Sequence, residues 1–136
     1  MGLQKLPSRL IVRTKSAPAP AGHYSQAIVY GGLIYVSGSG PFDPLTHTLV
    51  GKDIESQTNQ TLRNIESILK AGNSSLENVL KITVYLRDIS LFDRMNRVYQ
   101  RFFPNDPPAR TTIQTGIAGP ERLIVVDAIG FVSEHL

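Results

Sequence analysis

The last apolar segment of the chain constrains the fold most strongly. Residues 123–132 read Leu-Ile-Val-Val-Asp-Ala-Ile-Gly-Phe-Val, with Asp127 as the single charged residue. A strand with one face in solvent alternates apolar and polar residues, whereas a strand buried on both faces is apolar almost throughout. The segment therefore predicts a strand covered on both faces. Asp127 then needs a cation, a hydrogen-bond donor or a function, because an uncompensated buried charge is costly.

The rest of the chain alternates between strand-like and helix-like patterns. Gly31-Gly32 between two β-favouring runs predicts a hairpin, and Ser90, with Asp93 three residues later, predicts the N-cap of a second helix. The predicted elements are an edge strand over 9–14, hairpin strands over 25–30 and 33–37, a helix from 55 to 71, a strand over 78–87, a helix from 90 to 103, and strands over 110–115 and 123–132.

Each predicted helix has a single apolar face, which indicates how the layers pack. Two such helices with several strands predict an α+β fold in which a mixed β-sheet carries both helices on one face. The helices cover only that face, although the last strand is predicted to be covered on both. We therefore expect other subunits to cover the second face, in a closed homo-oligomer.

Length and composition exclude several classes of protein. A chain of 136 residues predicts a single domain over residues 1–136. It has no cysteine, and its three histidines show no ligand-like spacing, so we expect neither thiolate chemistry nor a metal site. The net charge of +3 is weak evidence for nucleic-acid binding. The apolar runs are far shorter than the roughly 18 residues of a membrane span. We therefore expect a soluble protein with neither a nucleic acid nor a membrane as partner.

The N-terminal arm carries most of the basic excess. Four cations precede the first acidic residue, Asp43. We interpret the arm as an edge strand with its charges on the solvent side. The alternative is a transit-peptide remnant, because such peptides are Arg-rich and acid-poor. The expected location is the cytoplasm, with the mitochondrial matrix as the alternative in a eukaryote.

Three polar residues stand out against a plain core. Arg110 follows two prolines at the start of a strand, a setting that would fix its guanidinium for bidentate binding of a carboxylate or phosphate. Asn96 is the polar exception on the apolar stripe of the second helix, and Asp127 is the lone acid of the last strand. Each also has a structural interpretation: a surface arginine, an asparagine that caps loop backbone, and a carboxylate paired with a nearby arginine.

Taken together, the motifs of the chain resemble those of the RidA/YjgF family over almost its whole length, from about Arg9 to Phe131. The matching motifs are Ala17-Pro18 to Gly22, Tyr24-Ser25-Gln26-Ala27, Val36-Ser37-Gly38, Gln57-Thr58 with Asn64-Ile65 and Ala71-Gly72, Lys81-Ile82-Thr83-Val84-Tyr85-Leu86-Arg87-Asp88, Asn96 with Tyr99 and Phe102-Phe103, and Pro108-Ala109-Arg110-Thr111.

This resemblance implies both an assembly and an activity. The implied fold is the chorismate-mutase-like α+β fold, assembled as a homotrimer with three ligand clefts between subunits. The implied reaction is hydrolysis of reactive 2-imino or 2-enamino acids, such as 2-iminobutanoate and 2-iminopropanoate, to 2-oxo acids and ammonia. The implied partner is a small imino or enamino acid, and no cofactor is required.

The resemblance also assigns substrate-binding residues. Arg110 matches the arginine that grips the substrate carboxylate, and Asn96 matches the helix asparagine that helps to order the site. Ser37 and the neighbouring Gly38 match cleft residues from the hairpin region. Together these four residues are expected to form the binding part of the cleft.

The same resemblance assigns Asp127, Thr112 and Tyr24 to the catalytic part. Asp127 falls where the family's deaminases usually have a glutamate that positions the hydrolytic water, and the backbone carbonyl of Thr112 is expected to contact that water. Tyr24 is expected to shape the cleft and to relay protons. Aspartate withdraws the carboxylate by roughly 1.5 Å, and a displacement near 1 Å can cost on the order of a hundredfold in rate.

Three other functions remain open at this point. A specialised pathway deaminase, of the aminomuconate or aminoacrylate type, would share every assigned residue. A non-catalytic trimer that binds or senses a carboxylate metabolite is favoured by Asp127 and by Ser39, where many family members have glutamine. A ribonuclease would need a general acid and base beside a phosphate site, and the sequence has no paired histidines or basic-aromatic stripe.

Overall fold

The computed structural model describes residues 6–133, and its elements follow the predicted order. Short 3₁₀ turns at Leu76–Asn78 and Ile89–Leu91 precede β4 and α2. The strands and helices are β1 (Leu10–Val12), β2 (Ala27–Tyr30), β3 (Leu33–Ser39), α1 (Ile54–Ala71), β4 (Val79–Leu86), α2 (Phe92–Phe102), β5 (Ala109–Gln114) and β6 (Ile124–Phe131).

The strands form one mixed sheet in the order β1-β2-β3-β6-β4-β5. Neighbouring strands are antiparallel except β4 and β5, which run parallel and are connected through α2. The β2–β3 hairpin turns at Gly31 and Gly32, whose φ angles of 60° and 82° favour glycine. The predicted hairpin and the predicted N-terminal edge strand are both confirmed.

The ends of α1 are fixed by a capping carboxylate and a glycine. Asp53 accepts a hydrogen bond from Ser56 N at 2.7 Å, which satisfies one of the unpaired N–H groups of the first turn. Gly72 follows the last turn and lies against β3: a Cβ atom there would be 2.4 Å from Ile34 Cδ1. The helix can therefore approach the sheet this closely only because residue 72 has no side chain.

The second helix begins at Phe92, and the prediction that Ser90 is its N-cap is wrong. The carboxylate of Asp88 accepts a hydrogen bond from Ser90 N at 2.9 Å and opens the 3₁₀ turn over Ile89–Leu91. The helix then starts without a side-chain cap. Asp88 takes the capping position because its side chain reaches the N–H two residues later, as in an Asx turn.

Both helices pack on one face of the sheet, and the core lies between these two layers. Arg94 of α2 also makes two hydrogen bonds to Glu55 of α1, at 2.7 and 2.9 Å, which join the helices at the surface. The structure confirms the predicted α+β fold with both helices on one face. The buried residues of the sheet on that face include Ile34, Val36, Ile82, Val84, Leu86, Ile124, Val126 and Ala128.

The second face of the sheet has no covering layer within residues 6–133. Burial alternates along β6, so that every second residue, including Asp127, is only partly buried on this face. Tyr35 and Phe131 on the same face are 43% and 42% exposed. A single chain therefore does not bury β6 on both sides, and the predicted homotrimer stays a prediction.

Candidate functional site

Arg110 is held in a defined position at the edge of the sheet. It is the second residue of β5 and points to the helix face, because it is paired with the core residue Ile82. Its Nη1 donates a hydrogen bond to Asn96 Oδ1 at 2.8 Å. Its guanidinium carbon lies 4.4 Å from the ring centre of Tyr99 and 5.3 Å from that of Phe92. Cation–π contacts and one amide thus fix the guanidinium.

The positive charge of Arg110 has no acidic partner within residues 6–133, where the ion pairs are Arg94–Glu55 and Lys70–Glu66. An arginine side chain has five N–H donors, and within residues 6–133 one of them donates to Asn96 while the side chain also interacts with the Tyr99 hydroxyl. The others are available to bind a carboxylate or phosphate of a ligand in bidentate fashion.

Thr112 lies two residues beyond Arg110 on the same side of β5. Its Oγ1 is buried and has no hydrogen-bond partner in the described part of the chain. Because buried hydroxyl groups are rarely unpaired, this atom is a candidate contact for a ligand or a water molecule. The sequence assigned a role to the backbone carbonyl of Thr112 and gave no signal for its hydroxyl.

Tyr24, Ser37 and Gly38 line a cavity of about 320 Å³ at the end of β3. The register of β3 against β6 shifts between Val36 and Ser39, and such a bulge re-aims side chains that regular alternation would place elsewhere. Ser37 Oγ donates to a backbone carbonyl at 2.6 Å, and the Tyr24 hydroxyl accepts a backbone N–H at 3.2 Å. The cavity has the size of a small-molecule pocket.

Two buried amide side chains shape the walls of this cavity. Gln26 donates to the carbonyls of Thr14 and Pro18 at 3.0 and 2.8 Å, and so holds the proline-rich connector against the sheet. Asn64 of α1 donates to two backbone carbonyls of the segment after β3, at 3.0 and 2.9 Å. The walls are therefore fixed by hydrogen bonds that do not depend on a ligand.

Asp127 lies on the second face of the sheet and is partly buried there. Tyr85 Oη donates a hydrogen bond to Asp127 Oδ2 at 2.8 Å. This bond is the main reason why the pKa of Tyr85 is raised above its usual value of 10.0, with burial as the second cause. The donor that the partly buried carboxylate needs is thus a phenol. The structural interpretation of Asp127 as the partner of an arginine does not hold within residues 6–133.

One chain does not bring all the predicted site residues together. Arg110 lies with Asn96 on the helix face, and Asp127 lies on the opposite face, because it pairs with Thr83 while Arg110 pairs with Ile82. The cavity with Tyr24 and Ser37 lies beyond two further strands, at β3. The predicted residues therefore form three separate groups in the single chain.

Two residues near these groups were not found by sequence reasoning. Tyr85 was interpreted as an ordinary strand aromatic, although its even spacing from the polar Lys81 and Thr83 places it on the less apolar face. Arg122 lines the cavity, yet it follows a Gly-Pro-Glu segment that is typical of a solvent-exposed turn.

His47, which the sequence analysis interpreted as solvated, is exposed and lies at the rim of the same cavity.

The described residues contain no cluster of three or more potential metal-ligating side chains of the His, Asp and Glu types. No helix within residues 6–133 combines the length and the apolar character that crossing a membrane requires.

Comparison with known proteins decides the family. A family model described as Endoribonuclease L-PSP matches residues 14–132. The chain belongs to the RidA/YjgF family. This match confirms the resemblance that the sequence motifs indicate, and it spans every strand and helix except β1.

Relatives in the RidA/YjgF family carry several different names. A RutC family protein of Saccharolobus solfataricus is 43% identical over 119 residues, which cover 88% of this chain and 94% of that protein. Reactive Intermediate Deaminase A, chloroplastic, of Arabidopsis thaliana is 37% identical over 119 residues, which cover 88% of this chain and 64% of that protein. Among solved structures, E. coli TdcF with bound serine matches with a TM-score of 0.86 at 28% identity, over 91% of this chain and 99% of that one.

Proposed function

We propose that the protein hydrolyses reactive 2-imino and 2-enamino acids to 2-oxo acids and ammonia, in clefts between the subunits of a homotrimer. The observation that carries this proposal is the setting of Arg110, whose guanidinium is held by Asn96 and two aromatic rings without an acidic partner in the described residues. The name of the Arabidopsis relative and the serine bound to TdcF support a small amino-acid-like substrate.

Hydrolysis of an imine depends more on positioning than on a strong nucleophile. The substrate R–C(=NH)–COO⁻ takes up one water and yields R–C(=O)–COO⁻ and NH₃. The water oxygen bonds to the imine carbon, protons move to nitrogen, and the C–N bond then breaks. Because the imine carbon is already electrophilic, a held carboxylate and one oriented water supply most of what the reaction needs.

Each assigned residue has one task in this proposal. Arg110 binds the substrate carboxylate through its unused N–H groups. Asp127 and the Thr112 carbonyl orient the attacking water, while the hydroxyl groups of Tyr24 and Ser37 relay protons to and from the substrate. No residue has to form a covalent intermediate.

The separation of these groups in one chain supports an assembled site. Arg110 and Asp127 lie on opposite faces of the sheet, so they contact one small substrate only if they come from different subunits. The uncovered second face, with Tyr35 and Phe131 exposed, offers the apolar surface for such an assembly. We therefore propose that each cleft combines Arg110 of one subunit with Asp127 and the cavity of a neighbour.

The direct test measures release of ammonia and 2-oxo acid from 2-iminobutanoate and 2-iminopropanoate, generated in situ by a PLP-dependent dehydratase. We expect wild-type protein to exceed the spontaneous rate and Arg110→Ala to lose about a hundredfold in kcat/KM, because a buried charge pair is lost. Arg101→Ala, which removes a cation in the last turn of α2, is the matched control and should behave as wild type. If Arg110→Ala keeps most of its kcat/KM, the assigned role is wrong.

A second candidate is a trimer that binds a carboxylate metabolite without efficient catalysis. The observation that favours it is the hydrogen bond from Tyr85, which occupies one oxygen of the carboxylate that would orient the water. This candidate predicts that 2-oxobutanoate binds to wild-type protein in calorimetry and not to Arg110→Ala, while imine hydrolysis stays at the spontaneous rate. Accelerated hydrolysis would exclude it.

A further inference from the structure

Arg122 is a cation in the cavity that the proposed reaction does not use. It precedes β6 and lines the cavity together with Tyr24 and Ser37. The Nε of Arg87 donates to the Arg122 carbonyl at 2.8 Å, and the same guanidinium donates to two further carbonyls of the preceding segment. The backbone that carries Arg122 is therefore held in place by Arg87, the partly buried residue that directly follows β4.

The side chain of Arg122 rests on two residues of the segment after β3. Its guanidinium carbon lies 5.6 Å from the ring centre of Phe42. A Cβ atom at Gly40 would lie 3.3 Å from both Cδ and Nη1 of Arg122, so the missing side chain at residue 40 leaves the room that the arginine occupies. Arg122 is thus packed into the cavity wall and does not extend freely into solvent.

The charge of Arg122 lacks a partner in the described part of the chain. Its Nε is buried without a hydrogen bond, and neither ion pair found there includes it. Arg122 as a whole is half-buried, but its buried Nε lacks an acceptor, which is unfavourable, so a side chain held in this way is poised to bind an anion. Two other arginines differ: the exposed Arg94 pairs with Glu55, and the partly buried Arg87 donates to three backbone carbonyls.

We infer that Arg122 binds a second acidic group of the substrate, and that the preferred substrates are therefore 2-imino dicarboxylic acids. This inference rests on the proposed function, which places Tyr24 and Ser37 in the substrate cleft and the first carboxylate on Arg110. A substrate that contacts Tyr24 and Ser37 occupies the cavity that Arg122 lines. Its far end then lies within reach of the second guanidinium.

The apolar part of the cavity wall fits the methylene groups that separate the two acidic ends of such a substrate. Ile68 of α1, Phe42 and Pro18 contribute apolar surface to the cavity. One or two methylene groups between the imine carbon and the second carboxylate would pack there. A monocarboxylic imine would bury the same apolar surface but leave Arg122 without an acceptor, which costs binding free energy.

The experiment compares kcat/KM for two imines of different charge. 2-Iminoglutarate is generated from L-glutamate by an amino-acid oxidase with catalase present, and 2-iminobutanoate by a dehydratase. We expect wild-type protein to prefer 2-iminoglutarate. We expect Arg122→Gln to lower kcat/KM for 2-iminoglutarate by about tenfold more than kcat/KM for 2-iminobutanoate. Arg63→Gln, which removes an exposed cation from α1, is the matched control and should keep the wild-type ratio.

The outcomes separate this inference from the proposed function. If wild-type protein accelerates hydrolysis of 2-iminobutanoate without a preference for the dicarboxylate, or if Arg122→Gln keeps the wild-type ratio, the inference is overturned and the proposed function stands. If neither imine is hydrolysed faster than spontaneously, the proposed function fails. Calorimetry with 2-oxoglutarate then decides whether Arg122 binds an anion. If wild-type protein binds 2-oxoglutarate and Arg122→Gln binds it more weakly, the second anion site is supported. If both bind it equally, or if neither binds it, the inference is overturned.

The assembly state provides the remaining check. Sedimentation of Arg122→Gln should give the same mass as wild-type protein, because the side chain is assigned to the cavity. A lower mass would show that Arg122 pairs with a neighbouring subunit, and that result would also overturn the inference.

Discussion

The hydrogen bond between Tyr85 and Asp127 ties together two partly buried groups on the uncovered face of the sheet. A carboxylate at this depth is tolerated because a donor is aimed at it. The phenol must stay protonated to donate, which is why its pKa is raised above 10.0. Asp127 therefore depends on its neighbour on β4 for its orientation, in addition to any role in the cleft.

Replacement of Tyr85 by phenylalanine tests this bond. We expect Tyr85→Phe to lower the free energy of unfolding by about 1 kcal/mol at pH 8, because the carboxylate loses its donor. The neutral phenol is the favoured form in the folded state. The stabilisation is therefore present below pH 10, the ordinary pKa, and is lost as the pH rises through the raised pKa of the folded state. Urea denaturation at pH 8 and above pH 10 measures both effects.

Tyr30→Phe is the control for this experiment, since Tyr30 is 44% exposed and lies at the end of the hairpin strand β2. A Tyr85→Phe variant as stable as wild type at pH 8 would contradict the assigned bond. A difference that persists unchanged above pH 10 would contradict its dependence on the protonated phenol.

At the residue scale, sequence reasoning found residues with unusual neighbours and missed those with ordinary ones. Asp127 was singled out because it interrupts an apolar run, and Arg110 because prolines precede it. Arg122 follows a turn and is adjacent to Glu121, as many surface cations are. Its placement depends on the space that Gly40 leaves and on the ring of Phe42. Both residues are distant from Arg122 in the sequence, so local pattern does not reveal these contacts.

At the scale of elements, the contact between the end of α1 and β3 sets how the helix layer meets the sheet. Gly72 has a φ of −92°, so its backbone conformation suits any residue. Space is the constraint, because a Cβ would lie 2.4 Å from Ile34 Cδ1 and 3.2 Å from Val12 Cγ2. Glycine is needed here for packing, in contrast to the hairpin glycines, whose positive φ angles require it.

We expect Gly72→Ala to lower the free energy of unfolding by roughly 1–3 kcal/mol, the usual cost of overpacking a core. The matched control is Gly116→Ala, because a Cβ at residue 116 meets no atom within 4 Å. That variant should be neutral or slightly stabilised. Urea denaturation of both variants provides the comparison. Equal stability of Gly72→Ala and wild type would mean that Ile34 moves aside without cost.

Element positions were largely predictable, whereas one boundary was not. The hairpin and α1 follow from local signals: paired glycines for the turn, and apolar residues at helical spacing. The predicted start of α2 was wrong because Asp88 and Ser90 are both good capping residues and lie two positions apart. The choice between them depends on the backbone path out of β4, which local pattern does not determine.

At the scale of the whole molecule, the sequence predicts that other subunits cover the second face of the sheet, and this assembly stays a prediction. The apolar character of β6 predicted cover on both faces, and one chain supplies cover on one face. The separation of Arg110 from Asp127 could not be predicted, because it depends on the register of β5 and β6 against β4.

Mixed assemblies test whether Arg110 and Asp127 act from different subunits. Arg110→Ala and Asp127→Ala should each lack imine hydrolysis when prepared alone. When the two are unfolded and refolded together in equal amounts, roughly a quarter of the interfaces should combine an intact Arg110 with an intact Asp127 and regain activity. The measurement is the rate of 2-iminobutanoate hydrolysis, with sedimentation to verify that the mixture reassembles.

Each variant refolded alone is the control for this mixture. If the reassembled mixture stays inactive, the two residues act from the same chain or Asp127 has only a structural role. Either finding would overturn the proposed division of the cleft between subunits.

The parallel pairing of β4 with β5 has a consequence for the order in which the protein folds. Arg110 and the α2 residues that hold it all lie in one continuous stretch, from β4 through α2 to the end of β5. The cavity gathers residues from Pro18 to Arg122, near both ends of the chain. Closing a short loop costs less entropy than closing a long one, so the surroundings of Arg110 can form early and the cavity only late. A truncated or interrupted chain would accordingly keep the local surroundings of Arg110 longer than it keeps the cavity.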